Sequence, residues 1–266
     1  MDDRQFLGLL EFLGLSWQGY RKVRKGVKKR VASHMQTLGC CSMAEYLERL
    51  ERQEEIRKQC EQRMGVSISR FYRDRRLWEV LEGKILPELL ETCGGRMRVW
   101  SAGCGCGEEV YSLRILWEHM GRSHKSLPVL NITAADVNPL YIEKAQYALY
   151  PSSSLREVPE DLRAACFEAQ PGGKRFMVKP YLREDIAWRT HDFFSGAPGL
   201  GFHLIFLRNN LLTYYQDQRI GPVLVHILNA LAVGGYLVVG SHEKLAFQSA
   251  GFAACPCLPY AFKKHG

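Results

Sequence analysis

In the stretch VWSAGCGCGEEVYSLRILW, Val99 to Trp117, glycines occupy the alternate positions 103, 105 and 107, between a short apolar run and an apolar helical pattern. A chain that gives up its side chains there can turn tightly and let another molecule approach its backbone. Strand, bare turn and helix in this order form the first βα unit of an open, mostly parallel sheet. In such sheets ligands bind outside the carboxyl ends of the strands. No other stretch restricts the fold as strongly.

The rest of the second half agrees. MRVWS, VLNITAAD, FHLIFLR and YLVVGS read as short buried strands, with helices expected over Glu108 to Met120 and Pro139 to Ala148. Asn138-Pro139 is a helix start, a capping side chain followed by a first-turn proline. Strands alternating with helices predict an α/β fold with helices on both faces of a Rossmann-like sheet. Residues Tyr150 to Thr190 interrupt the alternation with Pro151, Pro159, Pro171, Gly172-Gly173 and Pro180. The strand-like pieces RFMVK and IAWRT within that interval predict a small antiparallel β-subdomain inserted at about 150–190.

The first 65 residues read as all-helical. Tyr20, Val23, Val27, Val31 and Met35 recur at helical spacing, opposite a cationic face. Ser42 and Glu45 have the spacing of a capping box, for a helix expected to run to about Ile56. Farther on, Leu77, Val80, Leu81, Ile85 and Leu89 form the stripe of another helix, which Pro87 should kink or restart. The expected organisation is a helical domain over 1–65 and an α/β domain over 66–266.

Between Tyr20 and Met35 lie seven basic residues (Arg21, Lys22, Arg24, Lys25, Lys28, Lys29, Arg30) and no acid, within a chain of net charge +8. Such a run favours an acidic partner. No basic groove interleaved with aromatics accompanies it, so nucleic acid is not expected. The acidic, interrupted N-terminus MDDRQFLGLLEFLG does not read as a secretory signal. No segment approaches the roughly 20 apolar residues of a membrane span. The expectation is a soluble, cytoplasmic protein without membrane insertion. The nine cysteines show no C-x-x-C pairing and read as buried or incidental thiols, with no metal site.

The charge beside the glycines narrows the ligand. A dinucleotide fingerprint would place glycine three residues after Gly105, where Glu108 stands. Carboxylates at a helix N-terminus suit the helix dipole but repel a pyrophosphate. An ammonium or sulfonium is favoured instead, and S-adenosylmethionine carries both. Asp136, ending the next strand, can accept hydrogen bonds from its ribose hydroxyls.

RVWSAGCGCGEEVYSL, ADVNPLYIEKAQYALYPSSSLREVPEDL, FHLIFLRNNLLTYY and GGYLVVGSHEKL together resemble the CheR-type chemotaxis receptor methyltransferases. ISRFYRD resembles that family's Phe-Phe-Arg segment, and GYRKVRKGVKKRVASHMQTLGCCSMAEYLERL its N-terminal helical domain. The resemblance implies methyl transfer from S-adenosylmethionine to glutamate side chains of a chemoreceptor, with S-adenosylhomocysteine as product. It also implies that the basic N-terminal helix meets the receptor's methylated helical region.

Position by position, the resemblance assigns Ser69 and Arg73 to the far side of the cofactor and the active-site wall. Gly103 and Glu108 or Glu109 fall at the methionine end, Asp136 at the ribose, and Asp192-Phe193 beside the adenine, where the family usually has Asn-Leu. Leu207 and Arg208 face the transfer site. Methyl transfer is an in-line displacement governed by placement. A glutamate is already ionised near neutral pH, so no general base is required. Arg73 and Arg208 could hold the incoming carboxylate as planar forks. Tyr214 and Tyr215 could line the pocket or simply pack.

Three departures stand out. Thr213 replaces the family tyrosine with Tyr214 adjacent, Glu108-Glu109 is followed by Val110 instead of proline, and the final motif reads Ser241-His242-Glu243. They leave open a regulatory module that binds S-adenosylmethionine without transferring it, or a different acceptor.

Overall fold

Asp2 starts the first helix. Its carboxylate accepts the Gln5 N–H at 2.7 Å while the Gln5 side chain accepts the Asp2 N–H at 2.9 Å, a reciprocal cap. This computed structural model describes residues 1–67, 69–123, 126–245 and 251–266. Its chain divides into two compact units, Met1–Ser67 with Asn209–Pro222, and Ile68–Arg208 with Val223–Gly266.

The first unit contains α1 (Asp3–Phe12), α2 (Trp17–Tyr20), α3 (Arg24–Thr37), α4 (Met43–Arg52) and α5 (Glu54–Met64). Phe6, Leu9, Leu10, Val27, Val31, Tyr46 and Leu50 are buried together. Tyr20 ends α2 and does not begin α3: its ring packs on Phe6 at 6.0 Å and its hydroxyl donates to the Met64 carbonyl at 3.3 Å. Ser42 Oγ accepts the Glu45 N–H at 3.1 Å, but the Glu45 carboxylate takes the Cys41 N–H, one residue before the expected partner. The helix expected to reach Ile56 stops at Arg52. Gln53 is extended (φ −128°), and Ile56 belongs to α5.

The second unit opens with α6 (Arg75–Val80), a π-helical turn over Leu81–Ile85, and α7 (Leu86–Thr92). The distortion expected at Pro87 lies upstream of it. A proline ring collides with the carbonyl four residues earlier, here Gly83, and the wider π turn relieves that collision. Then follow β1 (Arg96–Ala102), α8 (Glu108–Gly121), β2 (Val129–Asp136), α9 (Pro139–Tyr147), β3 (Leu149–Pro151), α10 (Glu160–Cys166), β4 (Phe167–Ala169), β5 (Arg175–Val178), β6 (Ile186–Thr190) and β7 (Phe202–Leu207). After α11 (Leu211–Tyr214) and α12 (Asp217–Ala230) come β8 (Leu231–Val239), β9 (Phe252–Cys255) and β10 (Leu258–Lys264).

Seven strands form the main sheet in the order β6-β2-β1-β7-β8-β10-β9. The first five run parallel, and β10 and β9 are antiparallel additions. This is the α/β architecture expected from the sequence. β3, β5 and β4 make a separate antiparallel sheet, as predicted for the insertion. IAWRT does not belong to it: β6 pairs parallel with β2, Ile132 opposite Ile186 through Asp136 opposite Thr190. Trp188 on β6 packs against Tyr111 of α8 at 5.6 Å, an apolar contact that only the main core offers. Asn138 caps α9 by accepting the Leu140 N–H at 3.1 Å.

Residues 209–222 follow β7 yet pack within the first unit. The Ser16 N–H donates to the Tyr214 carbonyl at 2.8 Å, Gln216 N–H donates to Gly14 at 3.1 Å, and the Tyr20 and Tyr214 rings lie 4.9 Å apart. α2 comes so close to α11 that a β-carbon at Gly19 would overlap the Thr213 carbonyl. Gly19→Ala is therefore expected to destabilise the protein by about 1–3 kcal/mol in urea titration, as overpacking does. Gly8→Ala, with nothing within 4 Å in α1, should instead stabilise it by roughly 0.5–1 kcal/mol.

Candidate functional site

β1 lies between β2 and β7, and the chain leaves β1 toward β2 but leaves β7 toward β8, in opposite directions along the sheet. The turn 103–107 lies at that reversal. All three glycines have left-handed φ, +76°, +56° and +91°. The Gly103 and Cys104 N–H groups donate to the Ala135 carbonyl at 2.8 and 2.9 Å, binding the turn to the end of β2. At Gly107 a β-carbon would stand 2.9 Å from Ala145 and 3.0 Å from Trp188. That glycine allows α8 to start against α9 and β6.

Asp136 fastens the same turn from its side chain. One carboxylate oxygen accepts the Gly105 N–H and the other the Asn138 N–H, both at 2.9 Å. Burial raises the Asp136 carboxyl above 3.8, with the two N–H donors acting in the opposite sense. A carboxylate offers about four lone-pair directions, so each oxygen retains capacity for another donor.

The two glutamates that begin α8 have different surroundings. Glu108 is 6% exposed, and its buried Oε2 has no hydrogen-bond partner among the described residues. Burial raises its pKa above 4.5. Both oxygens of Glu109 have partners: Ser101 Oγ donates to one at 2.8 Å and Arg208 Nη1 to the other at 3.0 Å. An unpaired carboxylate oxygen in an apolar setting is a costly arrangement, and a cation beside it removes the cost.

Arg208 is committed through both Nη atoms, while its buried Nε has no partner among the described residues. Its side chain is 5% exposed, and besides Glu109 its Nη2 binds Asp74 and donates to the Arg73 carbonyl at 3.4 Å. The Arg73 carbonyl also accepts the Trp78 indole N–H at 2.9 Å. On either side of Arg73, Tyr72 and Asp74 adopt left-handed φ, +54° and +64°, unusual for residues with side chains. The surrounding bonds hold this strained segment in place. Arg208 thus acts here as an internal brace of the Arg73 loop.

The remaining sequence candidates are placed as follows. Ser69 is half-buried on the segment before Phe71. Leu207 is buried at the end of β7, opposite Val239. The Asp192 carboxylate accepts the Phe194 N–H at 2.9 Å and caps the short turn Phe193–Ser195; the preceding His191 N–H donates to the Asp136 carbonyl at 3.0 Å. Tyr214 lies in the first unit, against Tyr20. Arg73, Gly103, Glu108, Glu109, Asp136 and Arg208 all lie in the second unit, on β1, β2, β7 or the segments attached to them. The sequence reading passed over Asp74, Ser101 and Tyr150, whose hydroxyl donates to the Cys106 carbonyl at 2.6 Å inside the turn. Asp74 had a signal, since it directly follows Arg73 in FYRD. The other two had none.

The family model for the CheR methyltransferase SAM-binding domain matches residues 67–260. The chain belongs to the CheR methyltransferase family. A chemotaxis protein methyltransferase of Listeria innocua is 30% identical over 234 residues, 88% of this chain and 86% of that one. Chemotaxis protein methyltransferase 1 of Pseudomonas aeruginosa is 28% identical over 239 residues, 88% of this chain and 86% of its own length. As a CheR-type enzyme the protein uses S-adenosylmethionine. The side chains present suit that cofactor: the unpaired Glu108 oxygen fits an ammonium, and Asp136 keeps lone pairs for hydroxyl donors. Among the described residues no cluster of three or more His, Cys, Asp or Glu could hold a metal ion.

The brace is testable without cofactor. Arg208→Met leaves the Asp74 and Glu109 carboxylates without their shared cation and is expected to cost about 3–5 kcal/mol of stability by denaturant titration. Adding Glu109→Gln should recover part of that loss, which two independent sites would not do.

Proposed function

We propose that this protein methylates glutamate carboxylates in an acidic, helical region of a chemoreceptor. The observation that carries the reading is the bare turn 103–107, with the unpaired Glu108 oxygen on one side and Asp136 on the other. The cofactor supplies a methyl group on a positively charged sulfur. Glu108 holds its ammonium, Gly103 gives its methionine end room beside the backbone, and Asp136 takes the ribose hydroxyls. Asp192 and Phe193 flank the adenine, with Ser69 and Leu207 completing the walls. Arg73 receives the incoming carboxylate, and Arg208 with Glu109 keeps the Arg73 loop in position.

No proton needs to be removed from an ionised carboxylate, so the side chains serve mainly to bring nucleophile and methyl group into line. Tyr214 packs on Tyr20, which favours the structural one of its two possible roles.

The names of the relatives support a chemoreceptor as acceptor. Charge supports it too, although the basic face is less uniform than its sequence. Asp3 pairs with Lys28 at 2.9 Å and with Arg24 at 3.3 Å, and Arg30 donates to the carbonyls of Arg63 and Gly65. Lys25 and Lys29 line the same surface depression as Arg24 and Lys28. That surface is offered to the acidic partner. Among the described residues no helix is long and apolar enough to cross a membrane, and the reading places the reaction in the cytoplasm.

The test is transfer of labelled methyl from the cofactor to a chemoreceptor cytoplasmic region. The reading predicts label that mild base releases as methanol. Cofactor binding with no base-labile label on any acidic protein would favour the module without transfer activity, which Thr213 keeps in view.

Two further results are expected by calorimetry with S-adenosylhomocysteine. Asp136→Ala should weaken binding by about 1–3 kcal/mol, the worth of a charge-assisted hydrogen bond. An ammonium favours ionised Glu108, whose folded pKa lies above its ordinary value in the ligand-free protein. Binding should therefore release a proton, and affinity should rise with pH through that raised range and then level off. Glu108→Gln should weaken binding and remove the rise.

A further inference from the structure

The hairpin that ends the main sheet places two thiols side by side. Cys255 closes β9 and pairs with Leu258 at the start of β10, so Pro256 and Cys257 form the connecting turn. The two Sγ atoms are 3.4 Å apart. The Lys84 side chain, on the π-helical turn, hydrogen-bonds Cys257. Cys255 is 3% exposed, whereas Cys257 is only partly covered.

These surroundings separate the two sulfurs. Burial pushes the Cys255 thiol up, so it keeps its proton and donates it to its neighbour. The hydrogen bond from Cys255, reinforced by the Lys84 ammonium, holds the Cys257 thiol below 9.0. Other cysteines differ: Cys60, Cys93, Cys104 and Cys166 are pushed up by burial. Cys41 is exposed, and its Sγ donates to the Gly39 carbonyl at 3.9 Å without a cation or a second thiol beside it among the contacts of the described residues. A partly accessible thiol whose ionisation is favoured by a nearby cation, with a second thiol 3.4 Å away, is the arrangement of an oxidisable pair.

We propose that Cys255 and Cys257 form a peroxide-reactive dithiol in which Cys257 attacks and Cys255 resolves. The Cys257 thiolate displaces hydroxide from hydrogen peroxide, forming an S–O bond as the O–O bond breaks. The hydroxide takes up a proton and leaves as water. Cys255 then attacks the Cys257 sulfenic sulfur; the S–S bond forms, the S–O bond breaks, and the Cys255 proton leaves with the oxygen as a second water. Two electrons pass from the sulfur pair to one peroxide. Closure brings the sulfurs from 3.4 Å to the roughly 2.05 Å of a disulfide, a motion of side-chain size. The C-x-C spacing lacks the second intervening residue of a redox motif, which is why the sequence alone reads these thiols as incidental.

The experiment is oxidation of the reduced full-length protein by one equivalent of hydrogen peroxide at neutral pH, followed by peptide mapping. A Cys255–Cys257 disulfide is expected, with the loss of two hydrogens, forming at least about tenfold faster than oxidation of Cys41. Cys255→Ser should stop at a sulfenic acid on Cys257 that dimedone traps, and Cys257→Ser should leave Cys255 reduced. Lys84→Met should slow the reaction several-fold at neutral pH but not in alkaline solution, where Cys257 ionises without the help of the ammonium. Oxidation of Cys41 as fast as the pair, or wild-type oxidation of Cys255 in Cys257→Ser, would overturn the proposal. Should a serine variant fail to fold, the wild-type map and Lys84→Met still decide.

Discussion

The candidate site depends on the attachment of one turn to one strand end. Gly103, Cys104 and Gly105 all direct their N–H groups toward the end of β2, two to the Ala135 carbonyl and one to the Asp136 carboxylate. That attachment fixes where α8 begins, and hence where Glu108 points its unpaired oxygen. It also gives Asp136 a structural duty besides the ligand-binding one proposed for it. Because its oxygens are only half used by the backbone, the two duties are compatible.

The second organising element is a buried cation shared between segments distant in sequence. Arg208 after β7 joins Asp74 before α6 to Glu109 of α8, and Ser101 of β1 completes the set. Buried ion pairs contribute little net stability, but breaking one is severe, so their value lies in defining geometry. Here the geometry defined is that of Arg73, held between two left-handed residues. Arg208 braces the loop that carries Arg73, so under the proposed function the two arginines do not compete for one carboxylate.

Much of this was legible in the sequence. The glycine turn, the α/β alternation, the capped start of α9 and the inserted sheet all follow from local patterns, and the structure has them. What was not legible depends on contacts across the chain. IAWRT reads as an insertion strand from its proline-rich surroundings, but Trp188 requires the main core and draws β6 beside β2. The split of one predicted helix at Gln53, and of another between Tyr20 and Arg24, reflects burial of side chains that spacing alone cannot see. The recruitment of residues 209–222 by the first unit has no local signal at all. Glu108 and Glu109 are adjacent and identical in sequence; the positions of Ser101 and Arg208 separate the paired carboxylate from the unpaired one.

The proposed site stands or falls on whether the turn after β1 receives a cation and rejects phosphate. Parallel calorimetric titrations of the whole protein with S-adenosylhomocysteine and with NAD test it most directly. Saturable binding of the first, lost in Glu108→Gln, and no heat from the second is the predicted result. Binding of the dinucleotide, or binding of S-adenosylhomocysteine that ignores the charge at residue 108, would contradict it.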